Sequence, residues 1–312
     1  MKLIKISLVG TPDDYLDGIT PLIINQLGYS IAITHPMSAD LIIYGPFYKK
    51  QKDYRFLPKP IRKIALEVNA AISKRKFKAV SLLHTSENVR HDFIDSDYSI
   101  SFDLPINSRQ HRSPYWMEML DWAHEGLTGN CNRRFGKLLS IQQMLTPLGN
   151  QFLTRSHKAA FISSHLHEPR KSLLSWLSKF IEIDGFGPAF NHNISNHNES
   201  NFTKYDLLQR YAFNLCPENG IYPGYYTEKV PEAFAAGCLP IAWADTNIKM
   251  DFNPLALINL EPMVWNQLND LDNLLRDRTR MKDFAEQPLL LQQPSLEPLK
   301  NFIKEIILSA LS

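Results

Sequence analysis

Glu228 and Lys229 stand side by side at the end of a polar run, Pro217-Glu218-Asn219-Gly220-Ile221-Tyr222-Pro223-Gly224-Tyr225-Tyr226-Thr227, with short apolar stretches on either side of it. An ammonium beside carboxylates, with an amide, a hydroxyl and phenols close by in the chain, could hold an anion and the polar compound attached to it. A surface lysine paired with a glutamate is the plain alternative. The crowding of Glu218, Asn219, three tyrosines and the Glu228-Lys229 pair into one loop favours a site. Two further groups could do chemistry. Glu87, in His84-Thr85-Ser86-Glu87-Asn88, follows an apolar run and could act as a general base. Arg170, in Ser163-Ser164-His165-Leu166-His167-Glu168-Pro169-Arg170-Lys171, falls at the start of an expected helix. A cation there opposes the helix dipole, which a nearby anion would explain; plain surface solvation is the other account.

The elements that must position these residues follow from the flanking patterns. Phe213–Cys216 has the length and apolarity of a buried strand, Val230–Ala236 of a short helix with Pro231 tolerated in its first turn, and Leu239–Trp243 of a second buried strand. The unit is therefore strand, polar loop, helix, strand, with the loop at the carboxyl edge where open α/β sheets bind ligands. A helix N-terminus at that edge suits a phosphate. Upstream, strands are expected at Lys2–Gly10, Tyr29–Thr34, Asp40–Gly45, Lys63–Glu67, Ala79–His84 and Tyr98–Phe102, with a helix at Tyr15–Leu27 between the first two. Arg109–Leu127 leans helical, and Asn132–Leu145 has the pattern of an amphipathic helix. A new strand at Lys158–Ser164 opens a second α/β set, which places a domain boundary near 155. A helix at Leu173–Phe180, a polar loop at Asn191–Asn201, helices within Trp265–Phe284 and a terminal amphipathic helix at Leu296–Leu311 complete the expected order.

Bulk properties narrow the class. The 312 residues suffice for two cores, and 44% hydrophobic with 21% charged residues is ordinary for a globular chain. A net charge of +2 makes no electrostatic case for nucleic acid. Cys131, Cys216 and Cys238 have neither disulfide-framework nor zinc spacing and suit a reducing compartment. Asp95-Ser96-Asp97 precedes a strand instead of ending one, which speaks against a metal site, and the histidines at 165, 167, 192 and 197 lack ligand spacing. The N-terminus is expected to be a first strand and not a leader, and no stretch approaches a membrane span. The terminal helix, with acidic residues balancing its lysines, is expected to pack on the protein, leaving at most peripheral membrane contact.

The central stretch resembles the donor-binding signature of the α-1,3/1,4-fucosyltransferases, glycosyltransferase family 10. The family's FNLCFEN, Gly/Tyr-rich loop, YVTEK and IPIYWG stand here as FNLCPEN, GIYPGYYTEK and LPIAW. HTSENVRHDFIDSDYSISFD similarly resembles the family's TGEN and DYAIGFD region, with Ser86 in place of the glycine. The resemblance is strong over roughly 205–260, patchy over 80–170 and weak before 80. It implies an α/β protein of the GT-B class, two Rossmann-like domains facing across a cleft, with residues 1–155 binding the acceptor and 156–312 binding GDP-fucose. It further implies a soluble, cytoplasmic, bacterial-type enzyme that transfers L-fucose from GDP-β-L-fucose with inversion to a glycan or glycolipid hydroxyl. The expected linkage is α-1,3 to N-acetylglucosamine or glucose, in surface polysaccharide synthesis. The runner-up is a transferase of another linkage or donor, or an inactive nucleotide- or glycan-binding protein.

The same resemblance assigns roles. Glu87 is the base, with Glu118 and Asp121 the next carboxylates to try. Lys229 binds the diphosphate, as does Arg170 or its neighbour Lys171. Glu228 serves either the ribose or the positive charge developing on fucose. Asn219, Glu218, Thr227, Tyr225 and Tyr226 line the donor site, one tyrosine stacking on guanine or belonging to the core. GDP-fucose is the co-substrate; no metal is obligatory, although divalent ions could stimulate.

Overall fold

The structure is a computed structural model that describes residues 2–48, 58, 60, 61, 63, 78–190, 203–261 and 268–312. The strand expected at 63–67, Lys63 aside, lies outside the described residues, as do the loop of 191–201 with His192 and His197 and residues 265–267 of the expected helices. The chain divides into two compact units. One comprises Met1–Ser101, Pro105–Ser113 and Leu296–Ser312, the other Phe102–Leu104 and Pro114–Ser295. These bounds differ from a cut at 155. Residues 114–155 group with the second sheet, and the terminal helix groups with the first.

In the first unit, β1 (Lys2–Val9), β2 (Tyr29–Ile33), β3 (Leu41–Tyr44), β4 (Val80–His84), β5 (Tyr98–Ser101) and β6 (Gln110–Arg112) form a parallel sheet in the order β2-β1-β3-β4-β5-β6. Ile4, Ile6, Ile42, Ile43, Leu82 and Leu83 fill its core, as near-continuous apolar runs do in parallel sheets. The terminal helix, Glu297–Leu311, buries Leu299, Phe302, Ile303, Ile306 and Ile307. Phe302 stacks on His111 at 5.3 Å between ring centroids and meets Tyr98 edge-on at 5.9 Å. That packing is why the helix belongs to this unit. The expected helix at Tyr15–Leu27 is split into a 3-10 turn, Tyr15–Asp17, and a helix, Ile19–Gln26.

His84 ends β4 with its Nδ1 2.7 Å from the Tyr15 hydroxyl. Burial holds its imidazole down at about 4, from an ordinary 6.5. The unfolded chain therefore takes up the proton first, and stability should fall as the pH drops from about 6.5 towards about 4. Melting temperatures across that range should show the loss in the wild type, and His84→Gln should flatten it.

In the second unit, β7 (Ser156–Ile162), β8 (Glu182–Phe186), β9 (Tyr211–Pro217), β10 (Leu239–Trp243) and β11 (Ile258–Asn259) are parallel in the order β11-β10-β9-β7-β8. Every residue of the central strand β9 is buried. The helix after the polar loop runs Lys229–Ala235, and Gly237 stops it at φ +75°. Arg155 finishes it, donating from Nη2 to the Ala236 carbonyl at 2.9 Å and from Nη1 to the Tyr211 carbonyl at 3.0 Å. The helix expected at Leu173–Phe180 begins earlier, at Arg170–Leu177.

Of two further expected helices, one is absent and the other is cut to a single turn. Arg109–Leu127 is β6 followed by 3-10 turns at Tyr115–Met119 and Ala123–Glu125, because Pro114 opens the first turn from an extended backbone. Asn132–Leu145 keeps only Ile141–Met144. Gly136 takes φ +100° there, and a Cβ on it would sit 2.5 Å from the Thr203 methyl. Among the described residues no helix is long and apolar enough to cross a membrane.

Candidate active site

The carboxyl end of β9 carries the expected residues, and Glu218 organises them. It is 1% exposed. Its Oε1 accepts from the Thr227 backbone N–H and its carboxylate from the Thr227 hydroxyl, each at 2.9 Å, while Oε2 accepts from Lys229 Nζ at 2.9 Å. Lys229 Nζ also donates to Thr227 Oγ1 at 2.6 Å and lies 3.7 Å from Glu228 Oε1. Burial alone would lower the Lys229 ammonium, but Glu218 and then Glu228 outweigh it and hold it well above its usual range. Burial likewise pushes Glu228 up, and Lys229 and Lys204 reverse this to hold it down at about 2. Both groups are charged near neutral pH. An anion reaching Lys229 would therefore share it with Glu218.

The helix that follows offers fewer free amides than its position suggests. It has seven residues, and Pro231 removes one first-turn N–H. One turn on from Glu228, Glu232 is 1% exposed and bound to Lys204 Nζ at 2.5 Å and to Asn132 Nδ2 at 2.8 Å. The Tyr115 hydroxyl is pushed up, by burial first and then by Glu228.

Arg170 starts its helix in the position expected, yet it is not a solvated surface cation: it is 6% exposed. Nη1 donates to Ser163 Oγ at 3.2 Å and meets His165 Nε2 at 3.1 Å, and Nη2 donates to Asn219 Oδ1 at 2.5 Å. Among the described residues its buried Nε has no hydrogen-bond partner and no carboxylate lies within ion-pair distance. Burial lowers its pKa. A buried guanidinium held only by neutral acceptors is costly unless an anion completes its bonding.

Asn219 ties Arg170 to the polar loop, since it accepts from the guanidinium and its Nδ2 donates to the Tyr225 hydroxyl at 3.4 Å. Tyr225 and Tyr226 are both buried, at 2% and 1%, with Tyr225 edge-on to Phe102 at 5.0 Å and the Tyr226 hydroxyl accepting from Gly224 N at 3.2 Å. Both rings thus belong to the packed interior of this loop.

In the first unit, Glu87 is exposed in the turn after β4, where its backbone N–H donates to Thr85 Oγ1 at 3.2 Å. Asp97 is structural, with Oδ2 accepting from the Ser81 N–H at 2.9 Å and hydroxyl at 2.7 Å. Among the described residues no group of three or more His, Cys, Asp or Glu side chains could hold a metal ion.

Residues 153–284, which hold Arg170, Asn219 and the Glu218-Thr227-Lys229 cluster, match the family model described as "Glycosyltransferase family 10 (fucosyltransferase) C-term". That match covers less than half of the chain. An alpha-(1,3)-fucosyltransferase of Helicobacter pylori is 28% identical over 204 residues, 58% of this chain and 41% of that protein. A 4-galactosyl-N-acetylglucosaminide 3-alpha-L-fucosyltransferase 9 of Cricetulus griseus is 27% identical over 173 residues, 49% of this chain and 47% of its own. The chain thus spans less than half the length of these curated relatives. A crystal structure of an alpha1,3-fucosyltransferase with GDP-fucose superposes at a TM-score of 0.67 and 20% identity, covering 98% of this chain and 91% of that one. The fold is the α/β, GT-B fold with two parallel sheets that the family resemblance implies.

Spacing arguments missed His165, Ser163, Lys204 and Glu232. Only Glu232 left a signal, as an acidic residue four places after Glu228 among the apolar residues that follow Lys229.

Proposed function

We propose that the protein is an inverting fucosyltransferase that moves L-fucose from GDP-β-L-fucose to a hydroxyl of an oligosaccharide or glycolipid acceptor. The expected linkage is α-1,3 to N-acetylglucosamine or glucose, in the cytoplasmic synthesis of a bacterial surface glycan. The carrying observation is Arg170, a buried guanidinium with an unpartnered Nε, tied through Asn219 to the loop of Lys229 and Glu228. Such a group calls for an oxyanion acceptor, and a nucleoside diphosphate supplies several.

Arg170 and Lys229 hold the diphosphate and offset the charge that grows on it as the fucosyl bond breaks. Glu228, kept ionised by Lys229 and Lys204, faces the sugar side of the donor, where positive charge develops on the fucosyl ring. Tyr225 and Tyr226 stiffen the wall from within. The first unit takes the acceptor, and Glu87 accepts its hydroxyl proton as the new C–O bond forms and GDP departs with the electrons of the old one. The chemistry assigned to these residues needs no metal; a divalent ion could still stimulate it.

Incubation of the purified protein with radiolabelled GDP-fucose and a panel of acceptors, N-acetyllactosamine first, should give a fucosylated product. Tight GDP binding without transfer or hydrolysis on any acceptor would make it a nucleotide-binding protein instead.

A further inference from the structure

His165 is not assigned by the family resemblance, yet it touches the group on which the donor site rests. Its Nε2 lies 3.1 Å from Arg170 Nη1. A guanidinium only donates, so Nε2 must present its lone pair and the proton of the neutral ring is on Nδ1. The 3.4 Å approach of the His167 N–H to Nδ1 is then a contact and not a hydrogen bond. The Ser163 hydroxyl, which accepts from Nη1, is itself fixed by donating to the His165 carbonyl at 2.6 Å. Ser163 and His165 thus hold one end of the fork while Asn219 holds the other, which aims Nε and the open N–H directions.

We propose that His165 is a positioning residue for Arg170, and that only its neutral form sets the guanidinium for the donor diphosphate, so donor binding weakens when His165 takes up a proton. This rests on the donor reading above. A protonated ring would turn N–H against N–H, and either the ring or the guanidinium would have to leave its place. The charged and titratable groups around the pair are Arg170 itself, the His167 ring at 4.6 Å, and Glu218, Glu228 and Tyr225, which act on Arg170 through space. Burial and then Arg170 lower the His165 pKa, so the neutral form prevails at neutral pH. The sign is the unusual one. A histidine that met the phosphate directly would bind it better when protonated.

The test is calorimetry of GDP-fucose binding to the full chain from about pH 7.5 to about pH 5, with the diphosphate of the nucleotide sugar charged throughout. Wild-type affinity should fall about tenfold across this range, the effect of losing one hydrogen bond to a charged group. His165→Asn, whose amide oxygen accepts at every pH, should remove the slope. His165→Phe, which has no acceptor, should bind about tenfold more weakly than wild type at pH 7.5, again without a slope. Melting curves at each pH separate these effects from unfolding. A flat wild-type profile, tighter binding in acid, or an unchanged slope in His165→Asn overturns the proposal. Absence of GDP-fucose binding at every pH would instead sink the donor reading, and the proposal with it.

Discussion

Glu87→Gln is expected to lower turnover by roughly 100- to 10,000-fold, the range for losing a general base, while folding and GDP binding stay intact. The side chain is exposed at the carboxyl end of β4, so replacing its carboxylate by an amide disturbs no packing. The turn itself is held by backbone contacts, Glu87 N–H to Thr85 Oγ1 and Val89 N–H to the Glu87 carbonyl at 2.6 Å, which the substitution leaves in place. An exposed change of this kind shifts stability by no more than about 0.5 kcal/mol. The loss should therefore appear in kcat. Steady-state kinetics with GDP-fucose and a reactive acceptor measure it, with GDP calorimetry as the binding control. Near-normal turnover would move the base elsewhere, to Glu118 or Asp121.

Lys229→Ala should do two things at once. It leaves Glu218 buried without its cation, and breaking a buried ion pair from one side costs about 3–5 kcal/mol. It also removes a donor from the diphosphate, which should weaken GDP binding by roughly 10- to 150-fold. The two effects separate in the double variant Glu218→Gln/Lys229→Met, where the Glu218 charge is removed together with its partner and Glu228 keeps only Lys204. Most of the lost stability should return there, and the binding defect should persist. Lys229→Arg should rescue only in part, since a planar fork does not replace a compact ammonium between Thr227 and Glu218. Denaturant titration and GDP calorimetry on the four proteins decide the matter. A stable Lys229→Ala that binds GDP normally would mean that this loop is not the donor site.

Most strands of both sheets could be read from apolar runs, because parallel strands buried on two faces show β-branched and aromatic continuity. β6 (Gln110–Arg112) and β8 (Glu182–Phe186) could not, being polar or half-buried edge strands. The Lys229–Ala235 helix was equally legible, since Pro231 is tolerated only in a first turn and Gly237 ends it. What spacing could not show was tertiary. Asn132–Leu145 has helical periodicity, but Gly136 takes φ +100° where Thr203 leaves no room for a Cβ. The terminal helix announces an apolar face without announcing that Tyr98 and His111 cover it. At the site, the types and positions of Glu218, Asn219, Thr227, Glu228 and Lys229 were plain from the loop. The bonding was not: Glu218 is the clamp of the loop, both tyrosines are interior, and Arg170 is buried against His165, five positions back in a Ser-His-rich turn that concealed the contact.

The proposed donor site at the end of β9 is tested most directly by calorimetry of GDP and UDP against the wild type and Arg170→Met. GDP should bind the wild type and UDP should not. Arg170→Met replaces the buried guanidinium by an apolar chain of similar length at the loss of its bonds to Ser163, His165 and Asn219, so melting curves control for the fold, and it should weaken GDP by roughly 10- to 150-fold. Equal binding of GDP and UDP, or undiminished GDP binding by Arg170→Met, would contradict the assignment.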